Sequence, residues 1–281
     1  MASPNWDQHR WDQQYDGRLS ALIEVVEAAG RHTLTHFRQA DLVVDSKSDD
    51  SPVTVADREA EQLVRKQVSE KFPDDSVLGE EFAEQSGSSR YRWIVDPIDG
   101  TKSFVCGVPL YSTLLALELD NEPLAGAILI PALGELVVAA IGHGCWYRHS
   151  GRFPGDDASG WSSARVSDKA DLGSAVFLTS QVDSFAARDA GATYLQLEKS
   201  AWITRSWGDG YGYLLVATGR AELMVDPICN AWDVAAILPI MVESGGQFTD
   251  WKGNPTTRGG DGVGTNGALH AATLKILSGE D

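Results

Sequence analysis

A layered α/β fold is what this sequence predicts, on three observations. Segments whose apolar residues recur with helical spacing alternate with short, strand-like apolar runs. The alternation has no regular strand–helix–strand period, and the chain has no internal repeats. A hydrophobic content of 43% over 281 residues is enough to bury a substantial core, as one large domain or as two lobes.

Residues 1–17 read as a mobile tail, with Trp6 and Trp11 available for docking. Leu19, Leu22, Ile23, Val26 and Ala29 then predict a helix over Arg18–Arg38. The polar loop DSKSDDSP at 45–52 precedes a second helix, Thr54–Phe72, for which Thr54 suits the N-cap. Strands follow at Tyr91–Val95, Ser112–Leu119, Leu124–Ile130 and Glu135–Ala140. The long polar stretch RHSGRFPGDDASGWSS at 148–163 is the best candidate boundary, between a lobe spanning 18–150 and another spanning 151–281. Beyond it we expect strands near 175–179 and 194–197, a helix over Gly210–Thr218 and a strand at 221–225. A helix over Trp232–Glu243, a strand at Gln247–Thr249 and a helix over Asn266–Leu277 complete the chain.

The balance of 40 acidic against 23 basic residues, a formal charge of −17, argues against a nucleic-acid binder, which needs Lys and Arg to neutralise phosphates. Cys106, Cys145 and Cys229 are widely spaced and form no CxxC pair, which fits a reducing compartment. The polar, acidic start is unlike a signal peptide, and no apolar run approaches the length of a membrane span. The expectation is a soluble, cytoplasmic protein with no membrane partner.

Some carboxylates are grouped in ways that solubility does not require. In WIVDPIDGTKSF, at 93–104, an apolar run delivers Asp96 and Asp99, with Gly-Thr directly behind them. If the turn is helical, the two aspartates share one side, because residues three apart are neighbours there. The Gly100 and Thr101 amides would then head a helix, where anions bind well. GEEF at 79–82 places Glu80 and Glu81 behind another short apolar pair, and WDVAA at 232–236 places Asp233 in a first helical turn. An acid in that position is equally an ordinary response to the helix dipole.

Taken together, DPIDGT, the upstream GEE, the downstream WDVAA and SPVTVAD at 51–57 resemble the inositol monophosphatase family, in family order, from about Arg18 to Leu277. The resemblance implies a five-layer α/β/α/β/α sandwich and a Mg²⁺-dependent, lithium-sensitive phosphomonoesterase acting on a small-molecule phosphate ester. It implies two or three Mg²⁺ per site and a homodimer. Glu80, Asp96 and the Ile98 carbonyl would hold the first ion, and Asp96, Asp99 and Asp233 the second. Asp57 and Thr101 would orient the attacking water, with Glu80 assisting. Gly100 and Thr101 would meet the phosphate. Lys47 and Glu81 are further candidates, and for Lys47 a solvated loop charge is an equal reading. All-oxygen ligands suit Mg²⁺.

The stretch WGDGYGYLLVATGRAE at 207–222, followed by Asp226, is similar to the histidinol-phosphate phosphatase branch of that family. On that resemblance Gly208, Asp209, Gly210 and Asp226 contact substrate. Alternatives are an inositol phosphate or broader small-molecule phosphatase and, from another class, a non-catalytic metal- or phosphate-binding regulatory module.

Three other motifs are set aside. GDGYG and GGDGVG match neither dinucleotide nor P-loop spacing, so NAD and ATP are not implied. A calcium loop needs acids at alternate positions and a closing Glu, but position 94 is Ile and position 107, eleven after Asp96, is Gly. His32 and His36 lie four apart with no intervening Glu of the HExxH kind, and read as an exposed or interface face.

Overall fold

The computed structural model describes residues 14–40, 42–46, 52–149 and 160–279. The tail up to residue 13, Lys47 and the centre of the long polar loop, 150–159, lie outside the described residues.

Helix α1, Arg18–His36, buries the predicted stripe of Leu19, Leu22, Ile23, Val26 and Ala29. Strands β1 (Val44–Ser46) and β2 (Pro52–Thr54) form a small antiparallel pair ahead of α2, Val55–Lys71. Thr54 is the N-cap of α2, its hydroxyl accepting from the Ala56 amide at 3.1 Å. Next come β3 (Ser76–Gly79), β4 (Tyr91–Asp99), the short helix α3 (Thr101–Val105), β5 (Ser112–Leu119), β6 (Glu122–Ile130) and β7 (Glu135–Ala140). Strands β8 (Cys145–His149) and β9 (Ser162–Ser163) follow. Strands β3 to β9 lie in chain order in one seven-stranded sheet, with only β3–β4 parallel. Strand β8 and its β9 partner thus flank the stretch read from sequence as a single loop.

The rest of the chain begins with β10 (Val176–Leu178), α4 (Asp183–Ala187), α5 (Gly191–Ser200), β11 (Ile203–Arg205) and α6 (Gly210–Ala217). It continues through β12 (Leu223–Asp226), α7 (Ala231–Val234), α8 (Ile237–Glu243), β13 (Gln247–Thr249), β14 (Gly262–Thr265) and α9 (His270–Ser278). A five-stranded sheet of order β11-β10-β12-β14-β13 results.

Three hydrophobic clusters order these elements into layers. The pleat of β4 sends Trp93 and Val95 to a cluster with Leu19, Leu22 and Val26 of α1 and Val64 of α2. Ile94 points the other way, into a core shared with Leu214 of α6, Ile237 and Ile240 of α8, and Met224 and Phe248 of the second sheet. The far face of that sheet, through Phe177 and Val225, packs on Phe185 of α4, Leu197 of α5 and Ile276 of α9. Helices, sheet, helices, sheet and helices therefore alternate, the expected five-layer sandwich.

Besides short elements that the sequence reading did not name, the structure differs from it in the following respects. The strand expected at 194–197 lies inside α5. Tyr194 and Leu197, three apart, face the core while Leu195 is half exposed, which is the spacing of a helical face. The helix expected over Trp232–Glu243 is two, α7 and α8. Pro239 has no N–H for the carbonyl of Ala235 and its ring crowds that turn. The last helix starts at His270 rather than Asn266, whose side chain accepts from the Leu269 amide at 3.2 Å. The glycine-rich 259–264 stretch, given no element from sequence, supplies most of β14. There Tyr213 packs within 2.9 Å of where a Cβ on Gly264 would sit.

One buried ion pair locks the outer helices to the first sheet. Arg18 donates to both oxygens of Asp75 at 2.9 Å, between the Phe72 and Tyr91 rings, while Ser89 and Trp93 also donate to Asp75. Burial alone would raise the Asp75 pKa, but these donors hold it below the usual carboxylate value. The charged form is thus favoured in the folded state. Its stabilisation is present above the ordinary Asp pKa and is lost as pH falls through the lowered one. We expect Asp75→Asn to cost about 3–5 kcal/mol in urea unfolding at neutral pH, with the difference from wild type shrinking in acid. A neutral-pH change under about 1 kcal/mol would place the pair among ordinary surface bridges.

Candidate active site

The acidic pocket begins where β4 leaves the regular ladder. Pairing with β5 runs to Asp96↔Leu114 and resumes at Asp99↔Ser112, one residue out of register. Residues three apart in a regular strand face opposite sides, and this bulge returns Asp99 to the side of Asp96. The helical turn expected at this point is therefore a bulged strand, which tolerates Pro97 because no ladder donor is needed there. Thr113 donates to the Pro97 carbonyl at 2.9 Å. Gly100 then turns with φ of 85°, and a Cβ on it would meet Asp209 Oδ2 at 2.4 Å. Helix α3, headed by the Gly100 and Thr101 amides, has only five residues.

Two other acids arrive through the same local device. Asp57 and Asp233 each occupy the third position of a helix and close a capping box. Asp57 Oδ2 accepts from the Thr54 amide at 2.7 Å and hydroxyl at 2.6 Å, while Oδ1 faces the Thr101 hydroxyl at 3.4 Å. Asp233 Oδ2 accepts from the Asn230 amide at 2.6 Å. In each case one carboxylate oxygen serves the helix start, and the other is left for chemistry.

Glu80 is placed by residues that sequence reasoning missed. Buried Glu61, with Arg65 one turn later on α2, grips the loop behind β3. Glu61 accepts from the Glu81 amide at 2.7 Å, and Arg65 donates to the Phe82 carbonyl at 3.0 Å. A Cβ on Gly79 would sit 2.1 Å from the Glu61 carboxylate, so any larger residue there would push Glu61 off the loop it holds. The available signal was a Glu and an Arg four apart beside the apolar stripe of Ala60, Val64 and Val68.

The second sheet closes the pocket. Asp99 accepts from the Gly210 amide at 2.6 Å and from the Ser112 hydroxyl, tying β4 to the start of α6. Asp226 accepts from the Ser180 amide at 3.1 Å and hydroxyl at 2.5 Å, and from the Tyr213 hydroxyl at 2.9 Å. Lys102 reaches Gln181 across the entrance. A cavity of about 650 Å³ is lined by Glu80, Asp96, Ile98, Asp99, Gly100, Thr101, Asp209, Gly210, Asp226 and Asp233. Asp57 sits behind Thr101, fully buried, rather than in the lining. Gly208 packs against the Ser180 backbone, and neither it nor Glu81 lines the cavity.

Oxygens of Asp96, Asp99 and Asp233 lie within 4.8 Å of one another. Burial, then the charges of Glu80, Asp99 and Asp233, push the Asp96 pKa well above the ordinary range. Burial and the charges of Asp209 and Asp233 do the same to Asp99, and burial foremost raises Asp233 to about 7. Each like-charge pair near 4 Å costs about 4 kcal/mol at an effective dielectric of 20, so the cluster calls for protons or cations. The donor set is oxygen throughout, which fits a hard divalent cation.

A pocket of this kind suits a hydrolase that works through a hard divalent cation, and comparison with known proteins makes it a phosphoric monoester hydrolase. The model of the inositol monophosphatase family matches residues 14–280, and the chain belongs to that family. It is 41% identical to a histidinol-phosphatase of Chlorobaculum parvum, over 89% of this chain and 93% of that protein. It is 36% identical to a histidinol-phosphatase of Mycobacterium tuberculosis, over 92% and 97%. Among solved structures, an IMPase of Thermotoga maritima superposes with a TM-score of 0.80 at 29% identity, covering 93% of this chain and 97% of that one. The extragenic suppressor protein SuhB of Bartonella henselae gives 0.82 at 27%, covering 93% and 98%. Among the described residues no helix is long and apolar enough to cross a membrane.

Proposed function

We propose that the protein hydrolyses L-histidinol phosphate to L-histidinol and phosphate with Mg²⁺. The observation that carries the choice of substrate is that Asp209 and Asp226 share the cavity wall with the metal-type cluster. Histidinol phosphate brings an ammonium and an imidazole, whereas inositol phosphate offers only neutral hydroxyls beyond its phosphate. Burial raises the pKa of both acids, Asp226 to about 6, so a cationic substrate group would relieve a cost already present. The histidinol-phosphatase relatives support the same reading.

In this reading the lobe expected over 18–150, to whose sheet β9 also belongs, binds metal, and the five-stranded sheet with its helices is the substrate lobe, which completes the site with Asp233. Glu80, Asp96 and the Ile98 carbonyl would hold one Mg²⁺, and Asp96, Asp99 and Asp233 a second. Bound there, Mg²⁺ would neutralise phosphate charge and acidify water. The Gly100 and Thr101 amides orient the phosphate. The Thr101 hydroxyl lies 3.1 Å from the Ile98 carbonyl and 3.4 Å from Asp57, a long contact that must tighten when substrate is bound. Through it Asp57 takes one proton of the attacking water, whose oxygen bonds phosphorus as the phosphorus–ester oxygen bond breaks, and the departing alkoxide takes a proton from solvent water to leave as the alcohol.

Phosphate release from histidinol phosphate, inositol 1-phosphate, fructose 1,6-bisphosphate and adenosine 3′-phosphate tests the assignment. We expect the highest kcat/KM for histidinol phosphate and loss of all activity in EDTA. Asp226→Asn should lower kcat/KM for histidinol phosphate about ten- to a hundredfold while sparing glycerol phosphate, since a charge-assisted bond is worth roughly 1.5–3 kcal/mol. A higher kcat/KM for inositol phosphate would overturn the substrate and leave the phosphatase standing.

A further inference from the structure

His32 and His36 project from one face of α1, and the structure supplies the partner that their sequence neighbourhood lacked. Glu59, on α2, brings Oε2 to 3.0 Å from His32 Nε2 and 3.1 Å from His36 Nε2. The two rings meet edge-on with centroids 5.2 Å apart, and the ligand atoms of all three residues lie within 4.8 Å of one another. None of these residues belongs to the carboxylate pocket.

We propose that His32, His36 and Glu59 form a second cation site, for a borderline transition metal of the Zn²⁺ class, clipping α1 to α2. Two imidazole nitrogens and one carboxylate oxygen are a ligand set used by Zn²⁺, with a fourth position left for water. Ligands at 2.0–2.1 Å in a tetrahedron stand about 3.3 Å apart, so both nitrogen–oxygen pairs are within a few tenths of an ångström of that spacing, and the two nitrogens lie within 4.8 Å of each other. The spacing of the histidines, one helical turn apart, aims both Nε2 atoms at the same point. The side chains are 30%, 25% and 44% exposed, so an ion reaches them from solvent and keeps its water. Adjacent Arg58 is engaged by Asp45 at 3.0 Å rather than turned to Glu59. Imidazole ligands separate this site from the oxygen-only cluster, since Mg²⁺ prefers carboxylate and water.

The chemistry of the two sites allows them to be titrated apart. With the full chain free of any polyhistidine tag and saturated with Mg²⁺, Zn²⁺ is added in a calorimeter. We expect one equivalent to bind and to raise the Tm. His36→Gln should weaken that binding by at least about a hundredfold, the upper end of what loss of an outer-shell partner costs. His32→Gln combined with His36→Gln should abolish it without changing Mg²⁺ affinity. Cu²⁺-loaded protein should show nitrogen hyperfine splitting that the double variant lacks. Unchanged Zn²⁺ binding in the double variant would assign the ion to the carboxylate pocket and overturn the site. Failure of the wild type to bind Zn²⁺ beside Mg²⁺, or a Cu²⁺ spectrum without nitrogen coupling, overturns it as well.

Discussion

Asp96→Asn should lower kcat on the order of 10⁴-fold, the top of the range for a single positioned group, and at the same time stabilise the protein in EDTA. The two effects share one cause. Asp96 is buried among Glu80, Asp99 and Asp233, and its pKa is driven well above normal. Removing its charge relieves repulsions of about 4 kcal/mol per close pair at an effective dielectric of 20, so part of that returns as stability. The wild type should instead gain stability from Mg²⁺, because ions that bind only the folded state shift its equilibrium by mass action. Thermal melts of both proteins, with Mg²⁺ and with EDTA, distinguish this from simple damage. A variant that melts lower in EDTA than wild type would contradict the charge-cluster account.

Thr101→Ala should slow turnover about 10²- to 10⁴-fold while leaving the Mg²⁺-induced rise in Tm near that of wild type. Its hydroxyl is the only group of Thr101 assigned to water activation, and its loss leaves the acids themselves untouched. Asp57→Asn should match it in kcat, because among the described residues the Thr101 hydroxyl has no acceptor besides Asp57 except the Ile98 carbonyl. The double variant should then be little worse than either single one, as for residues acting as a unit. Wild-type kcat in either single variant would remove both residues from the proton path.

The acids were legible because each stands at a change of local structure, after an apolar run or at a helix start, where the sequence pattern itself changes. Their convergence was not readable from spacing. It depends on a register slip at Pro97 and on Glu61, whose contact with the Glu81 amide spans twenty residues of chain. The five layers were expected from the family resemblance, and the unbroken apolar run at 93–95 fits them because Ile94 faces one core and Trp93 and Val95 the other. Errors fell where two periods fit the same few residues, as at Tyr194–Leu197, or where one proline interrupts a good amphipathic pattern, as at Pro239. His32 and His36 illustrate the remaining limit, because a third ligand on a neighbouring helix leaves no mark near them in sequence.

The paired capping boxes carry a consequence for how this chain can change over evolutionary time. At Asp57 and Asp233, one side chain both starts a helix and faces the pocket. A longer Glu keeps the charge but moves both oxygens together, so any drift that suits one duty spoils the other. Such positions admit no gradual path: a lineage that loses the chemistry would keep the aspartates for folding, and would go on looking like an enzyme.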